Sequence, residues 1–141
     1  MGDVVEVRTI SFTAARKALD AAVAEAETIG LPVCIAVCGA SGDERLFARM
    51  DGAPELSASI ARDKAWTVTA FGGTPTHQWW SIIGDDPSLV HGITKIDRLI
   101  VFGGGVPITV GGTLVGAVGV SGGSADDDRR IAEAGASAVA G

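Results

Sequence analysis

Only two cysteines occur in the 141 residues, Cys34 and Cys38. Four residues of extended chain hold them about 13 Å apart, whereas a disulfide needs Cα atoms within about 7 Å, so they do not bridge each other. Nor is their spacing that of a two-residue redox or zinc pair, and small buried hydrophobes are their plain reading. A chain without disulfides suits a reducing compartment. Positive charge is also scarce: 11 Lys and Arg stand against 17 Asp and Glu, a net charge of -6. The basic residues are scattered, which excludes nucleic acid and anionic membrane surfaces as partners, since both need clustered Lys and Arg. No apolar run approaches a bilayer-spanning length, and no basic start followed by an apolar stretch opens the sequence, so the cytoplasm is the expected location. No Gly-Lys-Ser or Gly-Lys-Thr follows a glycine run, and no serine sits in a nucleophile elbow. The two histidines, His77 and His91, stand at no recognisable metal-ligand spacing from Asp85, Asp86 or Asp97, so no metal is expected.

What is present reads as globular: 47% hydrophobic and 20% charged, in a length suited to a single domain over residues 1–141. Ala15, Ala18, Leu19, Ala22, Val23, Ala26 and Ile29 keep the spacing of one helix face, opened at Ser11 or Thr13 and stopped by Gly30 and Pro32. Residues 33–38 and 44–50 read as a strand pair around the turn Gly39-Ala40-Ser41-Gly42-Asp43. Pro54 then opens a second helix with Ile60, Ala61, Ala65 and Val68 on its inner face. Lys64 stands on or near that face, either as a snorkelling rim residue or as a cation for a carboxylate in an adjoining pocket.

Residues 107–110 and 113–121 are two apolar, β-branched runs split by Gly111-Gly112, a strong hairpin signal. The second run ends at Ser121-Gly122-Gly123. Ser124 with Asp127 three residues on, then Ile131, Ala134 and Ala138, read as a capping box opening an amphipathic helix. A glycine-rich turn delivered onto a helix N-terminus suits a small anion; alternatively Asp126, Asp127 and Asp128 already neutralise that end. Residues 99–102 read as a further strand before Gly103-Gly104-Gly105. The expected architecture is α/β of the α+β type, a five-stranded antiparallel sheet joined by hairpins with helices packed on its faces.

Residues 71–98 are the least regular. Thr74-Pro75 and Asp86-Pro87 each look like an N-cap followed by proline, predicting two short helical turns. His77, Trp79, Trp80 and His91 collect here, and ordered loops bearing such side chains carry function disproportionately. The other reading is that the tryptophans plug a sheet edge or a subunit contact.

The motifs ARMDGA (48–53), IARDKA (60–65), FGGGVPI (102–108) and GTLVGAVGVSGG (112–123), with Asp128 and IAEAG (131–135), closely resemble the GlcG/HbpS haem-degrading-domain family, found also as the C-terminal domain of PduO-type proteins. The resemblance covers nearly the whole chain. It implies a profilin-like three-layer α/β/α fold, assembly into homo-oligomers, and genes placed beside catabolic operons. Some members of the family bind or degrade haem, and others resemble enzymes of small reactive oxo acids. THQWW (76–80) with DDPSLVHG (85–92) looks like the branch associated with catabolic clusters. Most relatives have an aspartate at the end of the first strand where this chain has Cys38-Gly39, which puts a carboxylate role there in doubt.

Two functional readings follow. In the first, a cofactor-independent enzyme performs proton transfer (tautomerase, hydratase or deaminase chemistry) on a small unsaturated or 2-oxo carboxylate. Arg49 or Lys64 and the Ser121-Gly122-Gly123 amides would hold that small anionic organic ligand, and His77 or His91 would move the proton. Asp51, Gly104 and Gly105 fall within the family motifs and join the ligand-binding candidates. In the second, the protein binds haem: Arg49 or Lys64 meets a propionate, Trp79 and Trp80 flank the ring, and the iron ligand comes from His77, His91, a cysteine or Met50, tyrosine being absent.

Overall fold

Alanine is what the first helix turns inward: Ala15, Ala18, Ala22 and Ala26 are fully buried along α1 (Phe12–Ile29). A face of such small side chains lets neighbouring backbones approach, and α1 lies against α5 (Ala125–Ser137) at the point where Gly135 meets the Ala18 carbonyl. Ser11 caps α1, its hydroxyl accepting the Ala14 N–H at 3.1 Å. The computed structural model describes residues 2–139.

Four strands form the sheet: β1 (Cys34–Gly39), β2 (Glu44–Arg49), β3 (Gly105–Val110) and β4 (Thr113–Ser121), in the order β2-β1-β4-β3 with every neighbouring pair antiparallel. Strand alternation divides the core. Ile35, Val37, Val118, Val120 and Ile108 face α1 and α5, while Cys34, Ala36, Cys38 and Ala117 face Ala61, Ala65 and Val68 of α2 (Ser57–Ala70). The result is the expected three-layer α/β/α sandwich. A Cβ on Gly119 would strike the Ala61 carbonyl and the Ala65 amide, so α2 rests directly on the backbone of β4. Gly111 and Gly112, with φ of 58 and 77°, turn β3 into β4 as a two-residue hairpin.

The sheet has four strands rather than five. Residues 99–102 do not pair with β3, because the Thr67 hydroxyl on α2 accepts the Ile100 N–H at 3.0 Å and Arg98, at a φ of 66°, turns the chain just before. That segment packs on α2 instead. Pro54 precedes α2 by a turn rather than beginning it, the Ser57 N–H donating to its carbonyl at 3.1 Å. Between α2 and β3 lie a short 3-10 turn (Thr76–Gln78), α3 (Trp79–Ile83), α4 (Pro87–Gly92) and a second 3-10 turn (Ile93–Lys95). Asp86 caps α4 through the Ser88 and Leu89 amides, as the Asp-Pro pair predicts.

One ion pair joins the two helix layers. Lys64 on α2 and Asp128 on α5 are 1% and 2% exposed, and the ammonium lies 3.2 Å from the carboxylate. The other ion pairs among the described residues reach the surface, where each contributes about 0–1 kcal/mol. Losing one partner of the buried pair strands a charge out of water, which costs about 3–5 kcal/mol. Lys64→Met and Asp128→Leu should each lower unfolding stability by about that much, and the double variant by clearly less than the sum, in denaturant melts. Additive losses would show that the two charges do not depend on each other.

Candidate functional site

Glycines after residue 102 let charged groups crowd together at the end of β4. The Lys64 ammonium donates to the Val120 carbonyl at 2.8 Å as well as to Asp128, and lies 5.1 Å from the centre of the Phe102 ring. Gly104, with a φ of 129°, leaves that space open: a Cβ there would sit 2.6 Å from the ammonium nitrogen. Asp128 turns its second oxygen to the Gly123 N–H at 2.9 Å. Gly105 is fixed by Thr76, whose buried hydroxyl accepts its N–H at 2.8 Å. Ser121 is 6% exposed and pairs with Cys34 across β1, which in turn pairs with Arg49 on β2.

His77 stands against this cluster, since a Cβ on Gly103 would touch both His77 and Ala125, the first residue of α5. Its Nδ1 is buried and has no hydrogen-bond partner, and the indole N–H of Trp79, two residues on, is likewise unpaired. Burial and the nearby Arg129 guanidinium hold the His77 imidazole below its usual value, so it is neutral at neutral pH. Burial also pulls the Lys64 ammonium down, and the Asp128 charge opposes that pull.

The structure therefore brings Lys64, His77, Gly104, Gly105, Ser121, Gly122 and Gly123 to one end of the sandwich. Arg49 ends β2 at the same end of the sheet, two strands from Ser121, and donates to the Ala53 carbonyl at 3.0 Å, with Asp51 in the exposed turn beyond it. The tryptophans separate: Trp79 is 3% exposed in a small core with Ile83 and Ile93 and meets the Phe71 ring edge-on, while Trp80 is 66% exposed. His91 is exposed on α4. Lys64 is no rim residue, and the carboxylate it meets is the chain's own.

Asp128, a residue of the family motifs that also reads as a helix-dipole partner, shares the buried stripe of α5 with Ile131, Ala132 and Gly135. An acid at a core position of a helix demands a cation, and that spacing was visible. Lys95, four residues after His91, is exposed and forms no ion pair among the described residues. Only its nearness to His91 in sequence marks it.

Comparison with known proteins agrees with this architecture. The family model described as "Haem degrading protein HbpS-like" matches residues 10–137. An uncharacterised 15.0 kDa protein from the dhaT–dhaS intergenic region of Citrobacter freundii is 37% identical over 91% of this chain and 90% of its own length. The corrinoid adenosyltransferase PduO of the same organism is 34% identical over 93% of this chain, which spans only 39% of that longer protein. Among solved structures, protein ORFY of Klebsiella pneumoniae superposes with a TM-score of 0.89 at 32% identity, covering 99% of this chain and 96% of that one. The haem complex of PduOC superposes with a TM-score of 0.84 at 31% identity, covering 93% and 95% of the two chains. The chain thus belongs to the HbpS-like family of haem degrading proteins.

Proposed function

We propose that this protein binds haem, through the exposed face of the irregular segment and with His91 as the iron ligand. The observation that carries the reading is the structural likeness, at a TM-score of 0.84, to a relative solved as a haem complex. The chain's own donors narrow the choice. Iron takes an axial imidazole, thiolate or thioether. Cys34 and Cys38 are 0% and 3% exposed, and burial pushes the Cys38 thiol up to about 11, so neither offers a thiolate. Met50 packs against the main core, and His77 keeps Nδ1 inside. His91 alone among these presents an exposed side chain.

The same irregular segment exposes apolar side chains that suit a flat ring. Trp80, Ile82, Leu89 and Ile96 are between 47% and 66% exposed on α3, α4 and the turn that follows, more apolar surface than one short segment needs to leave in water. Lys95 supplies a cation for a propionate there, a part that buried Lys64 fills only by giving up Asp128. Once bound, haem would supply a redox-active iron; the chain's own contribution is to hold, orient and shield it. The small-acid enzyme has less behind it. Two groups that would grip a substrate carboxylate, the Lys64 ammonium and the Gly123 amide, are both spent on Asp128.

Haemin titrated into the purified protein should give a saturable Soret shift, lost or weakened by at least about tenfold in His91→Ala and retained in His77→Ala. Absence of any protein-dependent shift would sink the haem reading, and a shift dependent on His77 would move the ligand to that residue. Both thiols should stay silent to a thiol reagent near about pH 8 until the protein is unfolded, when two react per chain. Rapid labelling of the folded protein would return the cysteines to the list of iron ligands.

A further inference from the structure

A groove of about 580 Å³ lies at the far end of the sandwich from the Lys64–Asp128 pair. Its wall includes Val139, just beyond α5, whereas His77 and Gly103 meet Ala125 at the helix start. The 13 residues of α5 separate the two places, about 20 Å at helical rise. None of the haem-site residues argued above lines the groove. Its volume lies within the roughly 300–1,000 Å³ of small-molecule sites.

Its lining has two parts. Ile10, Val115 and Val139 form an apolar floor, no more than 9% exposed, with Ala14 and Val110 beside them. Arg8 and Lys17 stand on the lining with exposed side chains, and no acidic residue lines the groove among the described residues. Neither cation forms an ion pair among the described residues. In a chain of net charge -6, an apolar trough with two positive charges and no negative one favours a ligand with an anionic head. No aromatic side chain lines it, so it gives a planar ring nothing to stack on. Among the described residues no histidine, cysteine or methionine lines it either, so these offer iron none of those ligands.

We infer that this groove is a second ligand site, taking an aliphatic monocarboxylate whose chain lies on Ile10, Val115 and Val139 and whose carboxylate meets Lys17 and Arg8. The inference stands apart from the haem reading, because none of its residues serves that site.

The test is calorimetric titration of the full-length protein with decanoate, and with decylammonium as the same chain carrying the opposite charge. Decanoate should bind saturably at one site per chain and decylammonium should not. Lys17→Glu and Arg8→Glu, both at exposed positions, should weaken decanoate by at least about tenfold with an unchanged thermal melt, and His91→Ala should leave it unaltered. Ala14→Phe, which fills the groove from a partly exposed helix position, should abolish binding. Equal binding of the two amphiphiles, indifference to both charge reversals, or displacement of decanoate by haemin would overturn the assignment.

Discussion

A lysine and an aspartate held 3.2 Å apart with almost no access to water set the terms for everything else at the end of β4. Removing each charge from water costs several kcal/mol, and their mutual attraction offsets this only when the remaining donors and acceptors are also met. Here they are: Lys64 also donates to the Val120 carbonyl, and the second Asp128 oxygen accepts the Gly123 N–H. Each partner imposes its own requirement. Gly104 must lack a side chain because the ammonium occupies that space, and the turn at Gly122-Gly123 must aim an amide at a helix it has not yet entered. The ion pair thus accounts for Gly104, while Gly103, Gly105, Gly122 and Gly123 are held free of side chains by Ala125, Thr76, Val33 and Leu31.

That explanation shows what the sequence could and could not disclose. Periodicity found α1, α2, α5, both hairpins and their partition into layers, because a helix face and a strand face each bury one set of side chains and no other. It also held the information for the ion pair. Lys64 shares its stripe with Ala61, Ala65 and Val68, and Asp128 shares its stripe with Ile131, Ala132 and Gly135. Two opposite charges at core positions of two helices can satisfy each other only by meeting. Read separately, one looked like a rim lysine and the other like a helix-dipole partner.

Residues 99–102 misled for a different reason. A run such as Leu-Ile-Val-Phe has the composition of a strand, yet a strand needs a partner's hydrogen bonds as well as apolar side chains. The Thr67 hydroxyl claims the Ile100 amide first, and no periodicity in a single chain announces a contact 33 residues away. The same holds for Trp79 and Trp80. Adjacent and chemically alike, they differ by 63 percentage points in exposure (66% against 3%) because a helix turns neighbouring side chains about 100° apart. Only the packing of α3 on Phe71 and Ile93 decides which of them faces in.

The two histidines pose the corresponding question for function. A neutral imidazole with one nitrogen sealed inside and unpaired, as in His77, cannot exchange protons through that atom with a solvent-borne substrate. The turn that carries His77 also carries Thr76, whose hydroxyl accepts the Gly105 N–H. His91, by contrast, is exposed on α4, in a segment that also exposes Trp80, Leu89 and Ile96. Residue type made them equal candidates. Burial separates them: His77 is half-buried against the start of α5, and His91 is exposed on α4.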